Sequence, residues 1–243
     1  MAGYKSSGDE RIDAKIADLK TVESSGFYSF ILGILHLQTE GKLSSDDCLS
    51  ILDAVFIYIT RRRILRLTQG ENKNAPLLVS FFDELITASS KKDKMLLILS
   101  NQLYALRLPN DNELLAYLTN QDSNFYNLRI CKFIFSLIEE SITRCRPKND
   151  TYLQIEHIMP QTLNDNWRDM LGDDYQRIYD SYLNNIGNLT LIRHNQELGN
   201  SSFVNKKDIY INKSGMQISK DKIIDKDSWG ETQIKERAIY LTK

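Results

Sequence analysis

Cysteine is scarce in this chain, with three residues among 243, at Cys48, Cys131 and Cys145. They are too few and too scattered for a disulfide scaffold, and no CxxC pair exists to hold structural zinc. Each reads as a small buried hydrophobe. Net charge is also missing, since 31 Lys and Arg stand against 32 Asp and Glu. That balance excludes a histone-like protein held to nucleic acid by bulk charge, while leaving room for a local basic groove. No apolar run approaches the roughly 20 residues needed to span a bilayer; the longest, Phe27–Leu37 and Ala54–Ile59, fall well short. Residues 1–10 are polar with no apolar segment directly behind them, so no signal peptide is expected. The chain therefore reads as cytoplasmic, without a membrane partner. What it does have is 42% hydrophobic residues, enough for a core, which excludes wholesale disorder. At roughly 100–200 residues per domain, the length admits one large or two modest domains.

Charge marks no boundary along the chain, but pattern does. Up to residue 150, helix follows helix. Ile12, Ile16 and Leu19 recur at helical spacing within residues 9–22, and Ser24 or Ser25 can cap a second helix that runs to about Thr39. Ser44 or Ser45 caps a third, with Cys48, Leu49, Leu52, Val55, Phe56 and Ile59 as its buried stripe. Pro76, behind Asn74, suits the first turn of a fourth. Residues 92–107 make a fifth, Asn110 caps a short sixth, and residues 124–145 form a seventh that Pro147 stops. Beyond Pro147 the style changes to a short strand through Leu153 and Ile155, one or two short helices over 162–182, and a second strand entered through Gly187. A helix over 195–209 and an amphipathic end from Trp229 follow. The expected fold class is α+β, mainly α, with an all-helical bundle in residues 1–147 and a small domain in 148–243.

Most polar residues have a bland reading. His36 lies among Ile34, Leu35 and Leu37 and is expected to be a packing or hydrogen-bonded histidine rather than a ligand. Arg61, Arg62, Arg63 and Arg66 close the third helix and suit the negative end of its dipole, with phosphate contact as the alternative. One constellation stands apart. The string Ile155-Glu156-His157-Ile158-Met159-Pro160-Gln161 sets a carboxylate beside an imidazole at a strand end. Neighbouring strand side chains point to opposite faces, but a strand turning into a loop can bring both to one site. Around the second strand lie Asn184, Asn185 and Asn188, then His194, Asn195 and Asn200. Buried amides are costly without partners, so turn-making asparagines and a chemical site both stay open on spacing alone.

These residues also carry a resemblance. EHIMPQT at 156–162, IGNLTL at 186–191, and Asn195, Leu198, Asn200, Phe203 and Lys206 in the pattern N-x-x-L-x-N-x-x-F-x-x-K follow one another in that order. Together with Trp229 and Arg237 they resemble, over roughly residues 150–243, the C-terminal HNH-type nuclease domain of the GmrSD family of modification-dependent restriction endonucleases. The interval from Asn188 to Asn195 is a little shorter than the family pattern, and the helical part resembles the family's variable connector. The resemblance implies a small ββα-metal (HNH, His-Me finger) domain that hydrolyses DNA, modified DNA included, within a phage-defence restriction system. It implies His157 as general base and Asn188 as the residue that steadies the catalytic loop. Glu156 and Asn195 would hold one Mg2+ or Mn2+ through oxygen, and Arg193, Lys206 and Lys207 would contact DNA. A nucleotide-dependent N-terminal domain, absent from this chain, is the implied partner. Two readings of other classes stay open: an HNH-like DNA-binding or assembly module that has lost catalysis, and a helical interaction protein whose C-terminal motif is a structural turn.

Overall fold

The computed structural model describes residues 6–67, 77–102, 106–193 and 198–242. Packing divides the chain into two compact units, Met1–Leu114 and Leu115–Lys243. The boundary expected at 147/148 falls inside the second unit.

The first unit is helical: α1 (Glu10–Thr21), α2 (Tyr28–Thr39), α3 (Ser45–Ile64), α4 (Phe82–Thr87), α5 (Lys91–Ser100) and the start of α6 (Asp111–Thr119). Ser44 and Asp47 form a reciprocal capping box at the start of α3, satisfying two otherwise orphaned backbone donors. Ser24 makes no side-chain cap; a 3-10 turn over Ser25–Phe27 leads into α2 instead. The expected Asn74–Pro76 helix start lies outside the described residues, and α5 is shorter than the 92–107 expected. The long helix α3 packs against α5, α1 and α2, and Ile16, Phe30, Leu52, Val55, Tyr58 and Leu99 build the core.

Two expectations for this unit are corrected. Of the two roles expected for His36 the packing one fails: its side chain is 68% exposed and meets a polar partner instead, Glu40 at 3.0 Å, one turn along the same helix. Arg61, Arg62 and Arg63 do occupy the last turn of α3, and Arg66 is exposed beyond it, but the three helical arginines are engaged within the unit rather than displayed for phosphate. Arg61 donates to the Pro109 carbonyl and to Asp111, Arg63 donates to the Val22 and Glu23 carbonyls, and Arg62 is buried beside the Tyr58 ring.

The second unit contains α7 (Cys131–Thr143), β1 (Gln154–His157), α8 (Asp165–Leu171), α9 (Tyr175–Tyr182), β2 (Leu189–Ile192), α10 (Phe203–Asn212) and α11 (Glu231–Leu241). The strands pair antiparallel, with Glu156 opposite Thr190 and His157 opposite Leu189. Helices thus dominate, and the described sheet is a single two-stranded hairpin with a long excursion between its strands. Trp167, Phe203 and Trp229 stack edge and face in the core beneath it. Gly187, in the 3-10 turn before β2, has a packing reason: a Cβ there would lie 2.0 Å from the Ile234 carbonyl oxygen. Arg237, fully buried on α11, donates to the Gly187, Leu189 and Ile218 carbonyls and so fixes the same turn.

Helix α7 starts at Cys131 rather than at 124. The amides of Phe125 and Tyr126 donate to the Asn184 carbonyl, and that tertiary bond draws the 124–130 segment out of the helix its apolar spacing suggests. Cys48 and Cys131 are buried, and burial pushes both thiols up to about 12. Cys145 is exposed, against expectation. No described helix is long and apolar enough to cross a membrane.

Candidate active site

Glu156 and His157 are the last two residues of β1, and both line one cavity of about 440 Å3, with Tyr126, Gln161, Thr162 and Asn200 among its other walls. The strand alternation that would separate them ends here. After His157 the chain turns, and the turn is held by Asn188. Its carbonyl accepts the Ile158 amide at 2.9 Å. Its side-chain oxygen accepts the Met159 amide at 2.8 Å and the Trp229 indole N–H at 3.0 Å. Its amide nitrogen donates to the Met159 and Leu183 carbonyls. All the hydrogen-bonding positions of a carboxamide are thereby used within the protein. Asn188, expected to steady the loop that carries the catalytic residues, is spent in holding the strand exit and keeps no hydrogen-bonding position for a substrate.

Lys206 is corrected. Expected as a DNA contact, it is fully buried. Its ammonium donates to Glu156 Oε1 at 2.5 Å and to the His157 carbonyl at 2.7 Å, so it is closed off from a phosphate backbone. One side chain from α10 thus grips both residues of the Glu-His pair. Burial pushes the Glu156 carboxyl up from its ordinary value and the Lys206 ammonium down, and the attraction between the two opposes both shifts. Tyr210, one turn along α10, is buried, its hydroxyl has no hydrogen-bond partner among the described residues, and burial first, then the charge of Glu156, pushes its pKa up.

The other basic candidates are also engaged inside the unit. Arg193 meets Asp150 in two contacts of 2.7 and 2.8 Å and donates to the Lys148 carbonyl. Lys207 donates to the Lys226 carbonyl and lies over the Phe203 ring. Asn195, expected as a metal ligand, and its neighbour His194 lie outside the described residues.

The imidazole of His157 is 5% exposed. Its Nε2 lies 3.2 Å from Asn184 Oδ1, and the Tyr126 ring packs against it with centroids 4.5 Å apart. Burial lowers its pKa to about 4, with the nearby Lys206 charge pushing the same way and the Asn184 hydrogen bond opposing. The ring is therefore neutral at pH 7 and able to accept a proton. Tyr126 and Asn184 were not singled out by the sequence. Asn184 was visible within the amide cluster, whereas Tyr126 was hidden in a stretch that reads as helix.

As donor types, the side chains around the cavity fit a hard divalent ion. They offer the Glu156 carboxylate, the amides of Gln161 and Asn200 and the Thr162 hydroxyl, with no cysteine, and oxygen donors select Mg2+ or Mn2+ over softer metals. Among the described residues no group of three His, Cys, Asp or Glu side chains converges, and the donors they offer an ion here are one carboxylate and neutral oxygens. Water and substrate would complete such a shell, as Mg2+ sites commonly require.

Comparison with known proteins gives one match. Residues 108–243 match the family model described as GmrSD restriction endonucleases, C-terminal domain. The matched segment starts well before residue 150 and takes in Tyr126 and α7 as well as the three motif blocks. No curated protein and no solved structure matches the chain.

Proposed function

The chain belongs to the GmrSD restriction endonuclease C-terminal domain family, and on that premise we propose that it is a metal-dependent DNA endonuclease of the HNH type. The observation that carries the proposal is the joint placement of Glu156 and His157 at one strand end and in one cavity. On this reading β1, β2 and α10 are the ββα element, with Lys206 of α10 tying the helix to the first strand. His157 takes the proton of the water that attacks the phosphodiester phosphorus, and the 3′ oxygen leaves. A pKa near 4 makes the imidazole a weak base in the resting protein. The negative charge of a phosphodiester brought into the cavity would raise that value toward the range where proton transfer is efficient. Glu156, with Asn195, would hold one Mg2+ or Mn2+, whose contribution is to stabilise the charge on the phosphoryl and leaving oxygens. Asn188 keeps the strand exit in shape. The family supports DNA as substrate; action on modified DNA, a partner domain that uses nucleotide, and service in phage defence belong to the same proposal.

A second reading has one observation in its favour. Lys206 already neutralises Glu156, the one carboxylate among the described residues of the cavity, which weakens it as a ligand and suits a domain that binds DNA without cutting it. A plasmid-nicking assay with Mn2+ decides between the two. On the endonuclease reading wild type nicks, and His157→Ala loses about 10²–10⁴-fold in rate, the usual value of a positioned base, while the protein stays folded. Wild-type protein that binds plasmid but never nicks it under Mg2+ or Mn2+ would establish the silent module.

A further inference from the structure

We propose that Asn184 is a positioning residue of the same site, fixing His157 in one tautomer and one orientation so that Nδ1 is the nitrogen that receives the proton. The proposal rests on the reading of His157 as general base. Nothing in the motif blocks assigns this role, since Asn184 lies just after α9 and ahead of the glycine turn.

Three contacts converge on this one residue. Its side-chain oxygen lies 3.2 Å from His157 Nε2. Its main-chain carbonyl accepts the Phe125 amide at 2.9 Å and the Tyr126 amide at 3.3 Å. The Tyr126 ring, placed by that second bond, packs against the imidazole at 4.5 Å between centroids. Asn184 therefore holds the ring edge with its side chain and the residue packed on the ring face with its backbone. The next residue reinforces the arrangement: Asn185 donates to the Leu118 and Asn120 carbonyls and accepts the Gly187 amide, anchoring the segment at both ends.

The chemistry follows from the acceptor. An amide oxygen can only receive a hydrogen bond, so Nε2 must carry the proton of the neutral ring, and the lone pair lies on Nδ1. Among the described residues Nδ1 has no hydrogen-bond partner, and His157 lines the cavity. A histidine with one nitrogen bound to a fixed acceptor has its tautomer set by that acceptor. Without it, the two neutral forms would both be populated and the ring could turn about its χ2 bond. The fraction of molecules presenting a lone pair to the attacking water would fall.

The test uses the full chain, 15N-labelled at histidine, with Asn184→Leu, which removes the acceptor, and Asn184→Asp, which keeps it. At pH 8.5, nitrogen NMR of the wild type should show Nδ1 unprotonated and Nε2 protonated. Asn184→Leu should show mixed tautomers, and Asn184→Asp should restore the single form. In plasmid nicking, Asn184→Leu should lower kcat about 10²-fold, the scale set by misplacing a reacting group by an ångström, with KM unchanged. In a His157→Ala background the same substitution should have no further effect. A wild-type ring protonated on Nδ1, or an Asn184→Leu protein with an unchanged tautomer and kcat, would overturn the proposal. The NMR arm reads Asn184 without any activity, so a failure of the endonuclease reading would appear separately, as an inactive wild type with the predicted tautomer.

Discussion

The two units bury different kinds of side chain. In the first, the core is almost wholly aliphatic and aromatic, and among the described residues its buried polar side chains are Asp18, Ser24 and Arg62. In the second, Glu139, Glu156, His157, Asn185, Asn188, Lys206 and Arg237 are all buried alongside the tryptophans. A helical bundle can be held by apolar stripes and capped ends alone. A two-stranded hairpin cannot, because such a pair is marginal in water until other elements hold it. Here buried polar side chains provide much of that hold: Arg237 and Asn188 bond the turn and the strand exit, Lys206 bonds the strand end, and the Glu139 carboxylate accepts the Gln217 and Ile218 amides. Buried hydrogen-bond networks of this kind specify one arrangement, and each member is costly to lose. The unit that holds its strands this way is also the one with a carboxylate and an imidazole in a shared cavity.

The contrast breaks first, and by most, at Lys206. Removing one partner of a buried pair leaves an uncompensated charge, which costs about 3–5 kcal/mol. Lys206→Met should therefore strip roughly that much from the stability of the second unit in urea unfolding. Lys206→Met combined with Glu156→Gln should recover a large part of it, since both charges are then gone. A double variant as unstable as the single one would mean that the ammonium's bond to the His157 carbonyl, rather than the ion pair, carries the stability.

Acid should separate the units next. The folded protein holds the His157 pKa near 4, below the ~6.5 of an unfolded chain. Between these values the unfolded state binds more protons, so the contribution of this group to stability rises with pH and is lost as pH falls from about 6.5 to 4. Glu156 works in the opposite direction, since burial raises its pKa and the folded state binds its proton more readily. Comparison of wild type with His157→Gln at pH 7.5 and pH 4.5 isolates the histidine. The wild type should lose on the order of 2 kcal/mol more than the variant. Equal losses would mean that the ring protonates in place, without the desolvation cost that its burial implies.

How much of this was legible depends on how local the cause is. Glu156 and His157 could be found because a strand end and the turn after it are written in consecutive residues. The same holds for the Ser44 capping box and the glycine at 187. The roles of Lys206 and Arg193 could not be read, because a lysine in a basic pair looks alike whether it faces solvent or a buried carboxylate. The rotation of α10 decides the matter, and Phe203, Lys206 and Tyr210 turn inward together. Tyr126 was the least legible. Phe125, Leu128 and Ile130 give its segment a helical rhythm, and the bond that unwinds it comes from the Asn184 carbonyl, far along the chain. For the same reason a boundary placed by style at 147/148 split α7 from the unit it packs in.

The smallest effect belongs to the first unit and to its one described histidine. His36 is flanked in sequence by Leu35 and Leu37, both buried, yet the helix turns it outward. Its nearest charged partner is Glu40, 3.0 Å away and itself part-exposed, and Glu40 also meets Lys42 at 2.7 Å. Water and the competing lysine screen such a pair, so it adds little to stability. His36→Ala should therefore leave the urea midpoint of the bundle almost unchanged, because alanine is the better helix former and offsets the lost contact. The corresponding change at His157, which removes a ring packed between Tyr126 and Asn184, tests the other half of the comparison. If the two substitutions were equally mild in stability while only His157→Ala abolished nicking, the buried histidine would be held for chemistry alone. If His36→Ala proved the more damaging, the division between a bundle that only folds and a unit that buries its polar groups for a purpose would fail.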